Sequence, residues 1–596
     1  MENTTLPAPP RKVAPWLLAA LAFALYLPSL GNGLTNWDDP RYVTANPIAT
    51  QGFAGIAAAF TQTWDDAWYP LTHALYAVVQ AVAGPSALAH HLVQALVFAA
   101  SVALVPAALA AFGVPTALGF WAALLWAAHP LRVESVSWAA NLKDALSALG
   151  VIAAVALHGA GRRKGSALAF AAALLAKSTV APLAPIFVLL EAREVRLPAA
   201  LRRALPWLAP AAIVLAIAAW LHVLEPAAPG RSQPGGGLLA AIPSALWLPW
   251  WYLGRILLPQ PSQAIYTFDP VGLVDWRFAA ALLLWGAALV LARRWRGGLT
   301  ALAAWALPFA AVTGLVPLLF PVADRYALLS SLAVSALVIL GAAALAKKPA
   351  ARVAAAVVAS VAVVALGAAS IARQAQWRDS IALWEADVAR DPSLVDARLN
   401  LAAAYGEGGR WDDVIVQARE SLKLAPDRAL ALRHLFTAQA TKAEVPARFV
   451  VPIADAIELA DGDPVHLVAA AGRALRIGAH EAALTLAHAA LRDGDRLDAR
   501  LLLAQGATAL AHHDDALEHA KAAAELAPTL GLPKVLHARA LASQGRLEEA
   551  MAVVQPAEAD EQVAEVAKAL RASILLQLGR PEEAKALVPE LPKIEQ

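Results

Sequence analysis

Apolar and polar positions divide this chain into two regimes. Up to about residue 371, long runs with few charges recur, each near the ~20 residues that a helix needs to cross hydrocarbon. The runs 13–31, 87–111, 116–129, 137–157, 205–224, 276–292, 299–320, 327–346 and 352–371 predict spanning helices. Segment 165–192 is too short for two full spans and predicts a hairpin of short helices with its apex at Lys177-Ser178-Thr179. Together these make about eleven passages. Two further stretches, 69–84 and 238–258, predict helices lying in the interface. The second carries Trp247, Trp250 and Trp251, whose rings favour the headgroup level.

After residue 372 charges become frequent and the pattern turns amphipathic. Pro392 and Pro426 lie 34 residues apart, as do Gly545 and Gly579, and Ala483, Ala516, Ala550 and Ala584 recur at 33, 34 and 34. The run Leu399-Asn400-Leu401-Ala402, followed by Tyr405, Gly409, Ala418 and Pro426, has the small residues, aromatic and closing proline of a tetratricopeptide (TPR) helix pair. The unit between Asp427 and Asp463 is degenerate, and a bend is expected there. The expected fold is therefore all-α: a polytopic transmembrane bundle over 1–371, then a TPR α-solenoid over 372–596.

Charge gives the bundle a direction. Arg11-Lys12, Arg162-Arg163-Lys164, the group Arg193, Arg196, Arg202 and Arg203, the group Arg293, Arg294 and Arg296, and Lys347-Lys348 all fall on one face if the two interfacial stretches do not cross. Basic loops stay cytoplasmic. The tail then lies outside, in the periplasm of a Gram-negative cell, with the bundle in the inner membrane. The apolar run after Arg11-Lys12 is long and lacks a small-x-small cleavage site, so an uncleaved anchor is expected.

Composition narrows the functional classes. Hydrophobic residues make up 59% of the 596, and charged residues 16%, below the usual quarter or so of a soluble domain. A net charge of +2 gives no reason to expect nucleic acid as a partner, and the absence of cysteine excludes disulfides, thiolate metal sites and a cysteine nucleophile.

Four polar constellations fall on the outer side of this topology. They are Asn36-Trp37-Asp38-Asp39 with Arg41, Tyr42 and Asn46; His129-Pro130-Leu131-Arg132-Val133-Glu134-Ser135 with Lys143-Asp144; the apex Lys177-Ser178; and Asp324-Arg325-Tyr326. Ionisable residues at the ends of apolar helices are costly and mark function. Each also has a plainer explanation. Asp38-Asp39 suits a helix cap or a solvated loop, and a second Trp-Asp-Asp at Trp64-Asp65-Asp66 shows how little the tripeptide specifies. His129 suits a helix end, Lys143 a snorkelling lysine and Arg325 a surface anchor. Lys177, between two apolar half-helices, needs an anionic partner or water. His73, His90 and His91 invite a metal reading, but His90 and His91 point to different helix faces. A carboxylate able to deprotonate a hydroxyl, beside cations able to hold a phosphate, suggests group transfer from a lipid-linked donor.

These motifs resemble the GT-C class of membrane glycosyltransferases, most closely the transmembrane-and-TPR O-mannosyltransferases. The resemblance runs through Asp38-Asp39 and Asn46, Tyr69-Pro70-Leu71-Thr72, and His90 with Val93-Gln94. It continues through His129-Pro130, Glu134-Ser135-Val136, Trp138 and Lys143-Asp144, then Lys177-Ser178, Asp324-Arg325-Tyr326, Trp377 and Trp384. It implies inverting transfer of a monosaccharide from a polyprenyl phosphate, undecaprenyl in a bacterium, to a hydroxyl of a protein or glycan. By the same resemblance Asp38 is the first choice for the base, and Asp39 the second or a residue that orients the acceptor. Arg325, Lys177, Lys143 and Arg132 are candidates for the donor phosphate, and His129, Glu134, Asp144, Asp324 and Tyr326 complete the expected substrate-binding set. Tyr69 and Gln94 stand where animal members carry Arg and Asn. No cofactor is implied, and a metal requirement is left open.

The TPR tail is expected to bind the acceptor or a partner. Two other functions fit a bundle joined to a solenoid: a non-catalytic membrane-anchored scaffold, and a lipid-sugar transporter. A transporter places its ionisable groups near the midplane, whereas most of these sit at one face. The topology makes a direct prediction. An alkaline phosphatase fused after Gln596 is active and one fused near Lys164 is inactive; the reverse pattern overturns the shared-face assignment.

Overall fold

The computed structural model describes residues 6, 10 and 13–588, apart from 65–66, 225–232, 296, 316–317, 426–427 and 493. Arg11-Lys12, Asp65-Asp66, Arg296 and Pro426-Asp427 lie outside the described residues. The described residues are helical, without named strands, and divide into two compact units, Met1–Leu394 and Val395–Gln596.

Helices Ala87–Ala111, Leu142–Gly159 and Ala14–Leu25 centre the first unit. They approach closely because small residues meet at their crossings. A Cβ on Gly159 would stand 2.6 Å from that of Ala111, and one on Gly150 would stand 2.7 Å from that of Ala173 on helix Arg163–Ala176. Such packing joins helices where a lipid surround removes the hydrophobic drive. Helices Trp276–Arg294 and Pro349–Gln376 lie outermost, exposing Leu282, Leu283 and Leu291 and Val353, Val357, Val361 and Val364. Exposed apolar faces of this extent mark a membrane protein.

Among the described residues, five helices are long and apolar enough to cross a membrane, rather than about eleven: Ala87–Ala111, Ala139–Gly159, Leu197–Leu221, Trp276–Arg294 and Pro349–Gln376. The other apolar runs make shorter helices because the backbone breaks them. The 13–31 run stops as an α-helix at Leu25 and continues as a 3₁₀ turn, Leu27–Gly31, with Pro28 inside it. The 299–320 run gives only Gly298–Ala306 and a 3₁₀ turn at Pro308. The 165–192 run, expected as a hairpin, gives helices Arg163–Ala176 and Pro185–Glu191 on either side of a 3₁₀ segment, Ser178–Leu183, with Lys177 at the break. Pro70–Ala83 and Leu238–Leu257 are helices.

Two of the basic clusters, that of Arg163 and that of Arg193 and Arg203, hold turns of this unit. Glu191 is fully buried and accepts from His158 Nε2 at 3.1 Å and from Arg163 Nε at 2.8 Å, with Arg203 3.6 Å away. Arg193 caps helix Ala87–Ala111 by donating to the carbonyls of Ala111 and Phe112. It also reaches the turn at Gly297 that follows Arg293-Arg294. The first unit continues past residue 371 because helix Ser380–Arg390 is tied into it. Asn36 accepts from Trp384 Nε1 at 2.7 Å, and Gly33 N donates to Arg378 O at 2.8 Å.

The second unit is a run of helix pairs. First helices begin at Val395, Ala429, Pro464, Leu497, Gly531 and Ala564, and partner helices at Trp411, Ala447, His480, His513, Leu547 and Pro581. Ala483, Ala516, Ala550 and Ala584 are buried near the starts of second helices. The degenerate stretch is itself a pair, Ala429–Lys442 and Ala447–Ala460, with core residues Leu432, Phe436, Val450 and Ile453 packed on to Leu467 and Ala470. Its sequence departs at the turn. Every pair turns through a residue with positive φ: Gly409, Glu444, Gly478, Ala511, Gly545 and Gly579. Glu444 (φ 57°) and Ala511 (φ 58°) thus hold a left-handed conformation that disfavours a Cβ. Replacing either with glycine is expected to stabilise the solenoid by on the order of 1 kcal/mol, and Gly409→Ala to destabilise it similarly. Thermal unfolding of the full chain, followed by circular dichroism, checks the signs.

Candidate functional site

The polar constellations meet at one region of the first unit. Asp39 precedes a single π-turn, Pro40–Thr44, and is 1% exposed. Its Oδ2 accepts from Thr35 N at 2.6 Å and Thr35 Oγ1 at 3.0 Å, and its Oδ1 accepts from Ala140 N at 2.7 Å. One carboxylate thus closes its own loop and ties it to the segment after the His-Pro motif. Burial pushes its pKa up to about 6, although these hydrogen bonds oppose the shift. Asp38 is half-buried, and among the described residues its carboxylate has no hydrogen bond. It lies in electrostatic range of Lys143, whose Nζ sits 3.6 Å from the centroid of the Tyr42 ring.

Lys143 also lies in electrostatic range of Lys177, Asp144 and Arg325, which belong to two ion pairs. Lys177 Nζ donates to Asp144 Oδ1 at 2.6 Å, which supplies the partner its position demands, and Asp144 Oδ2 is buried without a hydrogen bond. Arg325 pairs with Glu134 through Nη1, and its backbone N–H donates to Glu134 Oε2 at 2.9 Å. The guanidinium lies 5.5 Å from the Trp138 ring and 5.1 Å from that of Tyr326. A cavity of about 40 Å³ opens between the pairs, lined by Asp144, Ser147, Lys177, Thr179, Arg325 and Tyr326 among others. It has room for one to a few waters.

Other expected site residues act on the backbone. His129 accepts from Leu131 N at Nδ1 (3.2 Å) and donates from Nε2 to Ile256 O (3.0 Å). One accepting and one donating nitrogen make it a neutral ring that joins two helix ends. Arg132 is fully buried and donates from Nη1 to the carbonyls of Ala327 (3.3 Å) and Leu328 (2.7 Å). It fixes the turn Asp324–Ala327 from below. Tyr326 donates to Phe320 O at 3.1 Å. Asp324 faces away from the Lys177 cavity and accepts from Tyr266 OH at 2.7 Å, with Arg255 Nη2 3.9 Å distant.

Arg255 and Tyr266 were not singled out from the sequence. An arginine inside the apolar, tryptophan-rich stretch 238–258 is the signal that points to the first. Gln94, read as a departure, donates to the carbonyls of Ser135 (2.8 Å) and Trp138 (2.9 Å), so its amide spans the turn behind Glu134. The histidines hold structure. Asn46 Nδ2 lies 3.1 Å from His73 Nδ1, His90 Nδ1 lies 2.9 Å from Ser86 O, and His91 Nε2 lies 3.3 Å from Gly33 O.

No family model and no curated protein matches the chain. Among solved structures, ArnT from Cupriavidus metallidurans, bound to undecaprenyl phosphate, is 16% identical over 85% of this chain and 79% of its own, with a TM-score of 0.33. The TPR protein YrrB is 13% identical over 35% of this chain and 93% of its own, with a TM-score of 0.20. PilF of Pseudomonas aeruginosa is 17% identical over 34% and 95%, with a TM-score of 0.22. Scores this low carry no argument about function.

The Asp39 clamp is testable by pH. Its carboxyl binds a proton more readily in the folded protein (about 6) than at the ordinary value of 3.8. Its contribution to stability is therefore complete below pH 3.8 and lost as pH rises through 6. Asp39→Asn removes that slope and, by turning an N–H₂ toward a backbone donor, lowers stability by about 1–3 kcal/mol. Thermal midpoints of the two proteins across this range decide the matter, and parallel profiles refute it.

Proposed function

We propose that this chain is a membrane glycosyltransferase that moves a monosaccharide from a polyprenyl phosphate to an acceptor hydroxyl. The observation that carries the reading is the pairing of a carboxylate without a hydrogen bond, Asp38, with a group of cations: Lys143 within its electrostatic range, and Lys177 and Arg325 lining one cavity. Asp38 takes the proton of the acceptor hydroxyl, whose oxygen attacks the anomeric carbon. The bond from that carbon to the phosphate oxygen breaks, and its electron pair leaves with the lipid phosphate. Lys177 and Arg325 stabilise the charge that develops on the leaving group. Their present partners, Asp144 and Glu134, hold them in place without donor.

Asp39 serves as a positioning residue, because both of its oxygens hold backbone N–H groups. The order of the motifs along the chain, which resembles the transmembrane-and-TPR O-mannosyltransferases, supports the same assignment. On this reading the Asp38 loop faces the periplasm of a bacterial inner membrane, and the solenoid lies on that side, binding the acceptor protein or glycan or a partner. Its helix pairs have the form of peptide-binding repeats.

Loss of a general base lowers the rate by about 10²–10⁴. Asp38→Asn is therefore expected to abolish measurable sugar transfer in membranes while expression and thermal midpoint stay unchanged. Transfer is read as loss of a glycan or glycoprotein by mass spectrometry, relative to a deletion strain carrying the wild-type gene. Full activity in Asp38→Asn and also in Asp39→Asn refutes the loop-acid mechanism.

A further inference from the structure

A second charged cluster lies beyond Asp324 and has no part in the reaction proposed above. Arg255 ends helix Leu238–Leu257, Arg373 lies near the end of Pro349–Gln376, and Arg390 ends Ser380–Arg390. The segment from Ser262 to Tyr266 runs among them. Arg255 Nη2 donates to Tyr266 OH at 2.7 Å and to Pro261 O at 3.3 Å, and Arg390 donates to Ser262 O. Asp387 Oδ2 accepts from Ala264 N at 2.8 Å and Ile265 N at 3.0 Å. Arg373 acts electrostatically on Asp387, Tyr266 and Arg390, and Arg255 acts on Arg390 as well. Two buried guanidinium groups, Arg255 and Arg373, thus lie with two buried carboxylates, Asp324 and Asp387, and the exposed Arg390 adds a third guanidinium at the edge, next to Asp391.

The hydrogen bonds of the cluster are unbalanced toward donors. Nε and Nη2 of Arg373, Nε of Arg255, Nε2 of Gln263 and the Ser262 hydroxyl are buried without partners; Asp387 Oδ1 is the one acceptor among the cluster's unpartnered atoms. Arg373 is only 5% exposed and Arg255 8%. Buried donors without partners are costly, and charged ones most of all. An oxyanion can meet several of these donors at once, and the planar guanidinium fork suits phosphate best. Arg390 is exposed and gives the cluster a rim open to solvent.

We propose that Arg255, Arg373 and Arg390, with Ser262 and Gln263, form a second oxyanion site that binds a phosphate group. The site is distinct from the Lys177–Arg325 cavity and does not depend on the glycosyltransferase reading. The phosphate is either free or the diester of an anionic lipid headgroup.

The test uses the full chain purified in a neutral maltoside detergent. Inorganic phosphate is titrated in one arm and phosphatidylglycerol in the other, with chloride at matched ionic strength as control, and the thermal midpoint is followed. One arm is expected to raise the midpoint beyond chloride, and which arm does so identifies the source. Arg373→Gln abolishes that rise, whereas Lys177→Gln keeps it. Should Arg373→Gln fail to fold, Arg390→Gln on the exposed rim is expected to weaken the midpoint response about tenfold in ligand concentration. No rise in either arm overturns the proposal. So does a rise that survives Arg373→Gln (or Arg390→Gln in its place), or one lost in Lys177→Gln.

Discussion

An ionised side chain held among packed helices persists only where an opposite charge or aligned donors replace the water it has lost. The part of the first unit that holds these charged residues is organised by that requirement. Lys177 interrupts an apolar hairpin, and Asp144, which comes from a different helix, answers it at 2.6 Å. Glu134 is buried on a short helix and is answered by Arg325, 191 residues further on. Each pair fixes two segments that are distant in sequence. Removing either partner leaves a charge with nothing to face, so the loops cannot drift apart cheaply.

Asp39 applies the same rule with dipoles in place of a counter-charge. Its two oxygens collect three donors from Thr35 and Ala140. The loop between Asn32 and Pro40 is thereby held against the segment that leads into Lys143 and Asp144. Asp38 follows from this arrangement, since a neighbour anchored on both oxygens keeps its own carboxylate at a set position while leaving it unbonded. The acidic pair divides into one residue that builds the loop and one whose carboxylate has no hydrogen bond among the described residues.

Much of this was legible in the sequence, and the parts that were not share a cause. The solenoid register could be read because each helix pair repeats one local solution, down to the left-handed turn that follows the first helix. Glu444 hid one repeat by filling that turn with a residue that carries a Cβ. The break at Lys177 was legible because a lysine between apolar half-helices has few explanations. The count of spanning helices failed because hydrophobicity alone does not show where Pro28 or Pro308 turns α-helix into 3₁₀. The roles of His129 and Arg132 were hidden because their partners are main-chain carbonyls of Ile256, Ala327 and Leu328, which leave no mark in residue identity. Asp38 and Asp39 are identical in type, and only the fold separates them.

The turn Asp324–Ala327 shows how closely the two charged clusters are joined. Asp324 accepts from Tyr266 and faces Arg255, while the next residue, Arg325, pairs with Glu134 and lines the Lys177 cavity. Arg132 holds the turn by its final carbonyl and by that of Leu328, so it has little freedom to follow one cluster without the other. Coupling between sites requires an element that both of them bias. On the two proposals, a phosphate at Arg255 would weaken the pull on Asp324, and one at Arg325 would weaken the pull of Glu134. Both changes would act on the same four residues, so this turn is the element through which the two proposed sites would be coupled.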